Sequence, residues 1–443
     1  MSNYSTVPAL ACNASAALFT ELFGADIINI SGSILYCNHP SIAVRNVEFC
    51  NITVTYTHPA HNDTIHVETW LFTQTWNRRL QAIGGGGWVA GRFAMTDIGM
   101  ALGDLASIAL NGQYAVLAKE LIRSFYGRPA GYSYWSGCSQ GSKQGFMLAQ
   151  RYPNAYDCIT GVAPALNWAQ CILAASWAQV MMSITGQYPP KCEVNALTDA
   201  VVAACDPLDG VTDGLISDMS KCTFDPFALV EKTAHCPSTN TTIVISHAAA
   251  TIANLSWTGP RKRGAISLAR RELPSTSYRL RLFIKKNPEW DYSKIGSVEE
   301  YARLFYAGVQ ECDSIVRTVD PDLSALRKSR GKILAYHGLA DGFIPTRGTE
   351  NYYKRVNDTT SAIDDLFRDF EVPGLAHCSG GHSGQPTSTF QALVGWAEKG
   401  VVPDTLPIEF NDMKGIQHQR ILCPYPEKAS LKEKGLDVTK RES

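Results

Sequence analysis

Residues 131–153 read as a buried strand, a tight turn and a helix, and this order constrains the chain more than any other segment. GYSYWSG (131–137) is apolar and aromatic enough for a strand covered on both faces. Residues 142–151 carry a helical pattern that stops before Pro153. The turn between them, Gly137-Cys138-Ser139-Gln140-Gly141, fits G-x-S-x-G. Such a turn lifts its serine above the sheet edge, and the tight geometry demands small flanking residues. Ser139 is therefore the candidate nucleophile. The N–H of Gln140 is the first candidate oxyanion donor. A second donor is expected from an upstream glycine loop. Gly84 to Gly87 follow the short apolar run Leu80 to Ile83, and Gly86 and Gly87 are the candidates.

Strands and helices alternate at both ends of the chain, which indicates an α/β class. Residues 47–57 and 65–73 predict an antiparallel hairpin, 114–126 a helix, 332–336 and 366–372 strands, and 389–399 a short amphipathic helix. The middle differs. Residues 205–330 carry clustered Asp-Gly turns, a basic stretch and few clear strands, and read as an insertion. The expected division is a core of 1–204 and 331–443 with 205–330 inserted.

The strand 332–336 leads to Asp341, and 366–372 leads to His377. With Ser139 they stand in the order Ser, Asp, His that this kind of turn requires. Asp341 is the candidate acid and His377 the candidate base. His382 is the competing base. His337 precedes the acid and is expected to pack at the strand end. If Ser139 and His377 meet, their neighbours Cys138 and Cys378 must be close, and a disulfide between them would clamp the two loops.

Thirteen cysteines are many for a reducing compartment. Eight N-x-[ST] sequons, at Asn3, Asn13, Asn29, Asn51, Asn62, Asn240, Asn254 and Asn357, add to that signal. The Thr-rich strand composition around Asn51 would account for that sequon alone. Together they predict a secreted glycoprotein, although residues 1–12 show no basic n-region and no apolar h-region. A net charge of -1 gives no electrostatic footing for nucleic acid or an anionic membrane surface. No apolar run approaches the ~18–20 residues of a spanning helix. Oligomeric state is not legible.

Residues 205–215, CDPLDGVTDGL, place Asp206, Asp209 and Asp213 at i, i+3 and i+7 with two Asp-Gly turns. Hard Ca²⁺ takes such carboxylates together with backbone carbonyls, here those of Val211 and Leu215. Asp-Gly turns without a metal read equally well from this pattern alone.

The blocks YSYWSGCSQG, FMLAQRYP, ILAYHGLAD, VPGLAHCSGG and LCPYP together resemble the fungal tannase and feruloyl esterase family. Its signature is a Cys-Ser pair, an Asp and a His-Cys pair, matched by Cys138-Ser139, Asp341 and His377-Cys378. The resemblance implies an α/β-hydrolase core with an inserted lid, and a serine esterase acting on small aromatic-acid esters of feruloyl or galloyl type. It implies no organic cofactor. It also implies structural calcium on Asp206, Asp209, Val211, Asp213 and Leu215, and disulfides Cys205–Cys222 and Cys12–Cys50.

The chain departs from the family in four places. The elbow continues Gly141-Ser142-Lys143 instead of Gly-Gly-Arg. A stretch with a core strand is expected to be missing between 99–103 and 104–110. The lid reads as shortened around 258–285. Cys37, Cys236 and Cys423 read as lacking their usual partners. A missing strand would leave a sheet gap, and it raises the alternative of a non-catalytic secreted family member.

Overall fold

The computed structural model describes residues 10–13, 21–39, 44–89, 104, 106–110, 115–259, 279–412 and 415–429. The chain opens with β1 (Asp26–His39), β2 (Val44–Thr57), β3 (Ile65–Phe72), β4 (Arg79–Ile83) and β5 (Ser107–Leu110). Then follow α1 (Ala115–Tyr126), β6 (Tyr132–Cys138), α2 (Gln140–Arg151) and β7 (Cys158–Val162). These strands join β10 (Lys332–Gly338) and β11 (Phe367–Val372) in one nine-stranded sheet, ordered β1-β2-β3-β5-β4-β6-β7-β10-β11. Strands β1, β2, β3 and β5 pair antiparallel, and every pairing from β5 to β11 is parallel.

The expected hairpin is β2–β3, paired from Phe49↔Phe72 to Tyr56↔Ile65. Among the described residues the sheet shows no gap at this place. Ser107–Leu110, inside the segment that sequence reading placed after the gap, lies between β3 and β4 and bonds to both. All four residues are buried, so this short strand seals the sheet interior. The long β1 was not read from the sequence. Much of it is exposed, so its residues give no clear apolar period.

Between β7 and β10 lies the inserted unit. It contains α3 (Trp168–Ala174), α4 (Trp177–Thr185), α5 (Lys191–Cys205), the small hairpin β8 (Thr233–Cys236) and β9 (Thr241–Val244), α6 (His247–Thr258), α7 (Val298–Val316) and α8 (Ser324–Lys328). One apolar cluster joins Leu173, Trp177, Val180 and Met181 to Ile252, Leu280, Tyr301 and Leu304. A second joins Leu197 of α5 to Ile245, Ala249 and Ala253. The helices α4 and α5, which precede residue 205, thus share apolar clusters with residues of 205–330. The segment 260–278, where the lid was expected to be shortened, lies outside the described residues.

The chain ends with α9 (Thr346–Thr359), α10 (Thr389–Lys399) and a hairpin of β12 (Leu406–Asn411) with β13 (Gln417–Leu422). Two large apolar clusters flank the sheet. One contains Ile83, Trp135, Phe146 and Tyr352. The other contains Tyr134, Tyr336, Phe370 and Phe390. Tyr134 and Trp135 are adjacent on β6 and face opposite clusters, as alternation in a two-sided sheet requires.

The cysteines pair as Cys12–Cys50, Cys138–Cys378, Cys192–Cys236 and Cys205–Cys222. Three of these were expected. The fourth corrects the reading of Cys236 as lacking a partner: β8 carries it beside Cys192 at the start of α5, with Cα atoms 5.4 Å apart.

Candidate active site

Four loops leave the C-terminal ends of parallel strands on one side of the sheet, where open α/β sheets place their ligand sites. They follow β4, β6, β10 and β11. Neighbouring strands hold these ends level, with Ile83↔Ser136, Cys138↔Val162, Tyr336↔Val162 and Gly338↔Val372 in register.

Ser139 caps α2 with φ 62° and ψ −120°, a conformation that L residues rarely adopt. It persists because the surroundings leave no alternative. A Cβ on Gly137 would lie 2.5 Å from the carbonyl carbon of Gly141, and one on Gly141 would lie 2.4 Å from the carbonyl oxygen of Gly85. Both glycines of the motif are thus required by backbone packing, and Ser139 is left nearly buried at the tip. Gln140 is the first residue of α2, so its N–H has no acceptor within the helix.

The glycine loop packs directly on this elbow. Gly84 donates its N–H to Ser136 O at 2.9 Å. Gly86 and Val89 exchange both backbone bonds, at 2.9 and 3.0 Å. This removes Gly86 from the two candidate donors and leaves Gly87, which has φ 57°.

Asp341 is buried, and His377 donates from Nδ1 to its Oδ2 at 2.7 Å. Asp341 Oδ1 accepts the N–H groups of Phe343 at 2.7 Å and Ile344 at 2.9 Å. Burial by itself would raise this carboxyl, but the hydrogen bonds from His337 and His377 outweigh it and hold it well below the ordinary range. The competing base, His382, is exposed, and its N–H bonds to Gly374 O. The acid and base loops are sewn together by Leu339 N–H to Val372 O and Ala340 N–H to Leu375 O. A Cβ on Gly338 would lie 2.2 Å from Leu375 O, so only glycine allows this approach.

The Cys138–Cys378 disulfide, with Cα atoms 5.9 Å apart, ties the residue before Ser139 to the residue after His377. Cys138, His377 and Cys378 hold their potential ligand atoms within 4.8 Å of one another. Both sulfurs are spent in the bridge, so this is not a metal site, but it fixes the imidazole beside the elbow.

Aromatic side chains border these loops. Trp88, directly after the glycines, stacks on Phe283 of the insert with centroids 5.4 Å apart and planes 6° apart. It also meets Trp168 edge-on. Phe343 stacks on His377 at 5.2 Å. Trp88, Phe283 and Phe343 are all substantially exposed. Lys143, at the family departure in α2, lies over Trp168 at 5.9 Å, and burial pushes its ammonium down.

The Asp-rich loop is built as a compact acidic knot. Asp206 accepts the N–H groups of Asp213 and Gly214, Asp209 that of Val211, and Asp213 that of Leu215. All three carboxylates are buried. Arg420 of β13 reaches in from more than 200 residues away, donating from Nε to Asp213 at 2.5 Å and from Nη1 to Asp209 at 2.9 Å. Sequence reading missed this arginine, because nothing local links it to the loop. The three carboxylates do not draw their oxygens together as tightly as the Cys138–His377–Cys378 trio. Arg420 bonds to two of the carboxylates but carries a single charge, so the loop stays net negative, the sign that a divalent cation would balance. Burial and the charges of Asp206 and Asp209 push Asp213 up despite Arg420. Leu215 packs in one apolar cluster with Val372 and Leu375, so this loop buttresses the His377 loop.

This fold and site define an α/β-hydrolase with a serine elbow. The sequence profile of the family described as tannase and feruloyl esterase matches residues 101–278 and 279–442. The "Probable feruloyl esterase" of Arthroderma benhamiae is 34% identical over 453 residues, covering 87% of this chain and 84% of that protein. The "Probable feruloyl esterase B-2" of Neosartorya fischeri is 30% identical, covering 72% and 67%. Among solved structures, tannin acyl hydrolase from Aspergillus niger superposes with TM-score 0.83 at 21% identity, covering 99% of this chain and 96% of its own. Feruloyl esterase B from Aspergillus oryzae superposes with TM-score 0.75 at 22% identity, covering 96% and 98%. The chain belongs to the tannase and feruloyl esterase family and is a carboxylic ester hydrolase.

Proposed function

We propose that this chain is a secreted serine esterase that cleaves esters of aromatic acids through an acyl-enzyme. The observation that carries the reading is the His377–Asp341 hydrogen bond, held beside the Ser139 elbow by the Cys138–Cys378 bridge. Ser139 Oγ attacks the ester carbonyl while His377 Nε2 takes its proton. Asp341 fixes the Nδ1–H tautomer and balances the imidazolium charge. The N–H groups of Gln140 and Gly87 receive the oxyanion. His377 returns the proton to the departing alcohol, and then activates the water that releases the acid.

The exposed faces of Trp88, Phe283 and Phe343 support an aromatic acyl group, and the names of the curated relatives support a feruloyl-type ester. Asp206, Asp209 and Asp213, with the carbonyls of Val211 and Leu215, would hold a structural calcium ion. No organic cofactor enters these steps. Four disulfides support an oxidising compartment. Sequon asparagines 13, 29, 62, 240 and 357 are exposed, whereas Asn51 is buried in β2 and bonds to Glu68. Among the described residues no helix is long and apolar enough to cross a membrane. Among the described residues the sheet has no gap, so a truncated core gives no support to the alternative of a non-catalytic member.

The test offers methyl ferulate, methyl gallate and p-nitrophenyl acetate to the folded wild type and to Ser139→Ala. The reading requires hydrolysis of at least one aromatic ester that disappears in the variant. Equal rates in the two proteins would remove Ser139 from the mechanism.

A further inference from the structure

Asp341 serves two histidines. Besides His377, its Oδ2 lies 3.1 Å from Nε2 of His337, a side chain with no exposed surface. The same Nε2 lies 3.1 Å from Ile344 O. A carboxylate and a carbonyl are both acceptors, so Nε2 must carry the proton. On the other side of the ring, Nδ1 lies 2.8 Å from Thr349 Oγ1, and Thr349 on α9 is also fully buried. With Nε2 protonated, a neutral ring has an acceptor at Nδ1, and the Thr349 hydroxyl donates to it. Glu371, the register partner of His337 on β11, bonds to Glu350 instead.

We propose that His337 is a positioning residue of the esterase reaction: locked by Thr349 as the Nε2–H tautomer, it fixes the Asp341 carboxylate in the orientation that serves His377. This rests on Ser139, His377 and Asp341 acting as proposed above. A strand-end histidine that only filled space would need neither the Thr349 hydroxyl nor two acceptors at one nitrogen. Asp341 leaves the sheet on a loop, and its Oδ1 is already held by two backbone N–H groups. His337 supplies the only side-chain restraint on Oδ2 other than His377 itself among the described residues. Without it the carboxylate can turn about its bond and lower the fraction of His377 held ready. Binding of substrate, which His337 does not touch, is left alone.

The test compares His337→Leu, His337→Gln and Thr349→Val with wild type and Ser139→Ala on the best ester, recording kcat, KM and thermal melting. A glutamine carboxamide can place an N–H near the position of Nε2. The expected result is a kcat for His337→Leu lower by about 10- to 100-fold with KM within about twofold, and recovery of most of that loss in His337→Gln. Thr349→Val should lower kcat by about 3- to 10-fold, and it carries the comparison if His337→Leu does not fold. Leucine and glutamine variants impaired to the same degree, or a Thr349→Val with wild-type kcat, would overturn the proposal. Those outcomes leave the Ser139 reading intact. That reading fails separately, and the proposal with it, if Ser139→Ala matches wild type.

Discussion

Cys138 and Cys378 are 240 residues apart in sequence, yet their disulfide joins the residue before the elbow serine to the residue after the histidine bonded to Asp341. The bridge closes a loop that contains the whole insert. Its removal should therefore affect both the stability of the fold and the alignment of the two catalytic loops. For a loop of this size, the double variant Cys138→Ala/Cys378→Ala should lose about 3–5 kcal/mol of stability. Its kcat should fall more than its KM rises. Denaturant titration with steady-state kinetics checks both, and an unchanged kcat in a folded variant would deny the bridge its aligning role.

Arg420 and the Asp-rich loop predict a second effect. Arg420→Met leaves Asp209 and Asp213 buried without their guanidinium, a loss of about 3–5 kcal/mol. Removal of divalent cations with EDTA should lower the melting temperature of the wild type, and calcium should restore it better than the smaller, octahedral magnesium. Because Leu215 packs against the His377 loop, activity should fall along with stability. Identical melts with EDTA and with calcium would remove the cation from the account.

The fold itself was legible where chain-local physics decides it. The elbow, the β2–β3 hairpin and the strands before Asp341 and His377 all show short-range patterns: apolar runs, alternation and glycine turns. Ser107–Leu110 was readable as apolar, but its place between β3 and β4 depends on pairing across the sheet. Arg420 and the Cys192–Cys236 bridge make long-range contacts with no local signature. His337 was set aside on chain order, and only its two ring contacts give it a role. Gly86 was an equal candidate with Gly87 until its N–H proved to be bonded within its own turn.

The β11 carboxyls give a pH prediction. Burial pushes Asp369 up to about 8, with the charges of Glu371 and Glu350 adding to it. Glu371, close to Glu350, is raised to about 7, again chiefly by burial. Unfolded carboxyls titrate near pH ~4. These two carboxyls thus bind more protons in the folded chain than in the unfolded chain from there to about 8, and the stability they contribute falls as pH rises through that interval. Asp369→Asn removes one of these protons from the balance. Its melting temperature should exceed that of wild type by a margin that widens from pH 5 to pH 8. Parallel curves would show that Asp369 ionises freely in the fold.

Trp88 predicts a substrate effect. Its exposed face beside the glycine loop should stack on an aromatic acyl group, an interaction worth about 1 kcal/mol or slightly more. Trp88→Ala should raise KM for methyl ferulate by roughly 5- to 10-fold. The kinetics of p-nitrophenyl acetate should change less than about twofold, since its acyl group offers nothing to stack. Equal effects on both esters would place the aromatic ring elsewhere.

The central claim is that Ser139 carries the acyl group between the two halves of the reaction. Intact-mass spectrometry of enzyme quenched in acid during turnover of an aromatic ester tests it most directly, with peptide mapping of any adduct. The account predicts a transient mass increase of one acyl group, located on Ser139 and absent from Ser139→Ala, and a longer-lived adduct in His377→Ala if acylation still occurs there. Full turnover in Ser139→Ala, or an adduct mapped to another residue in active enzyme, would contradict it.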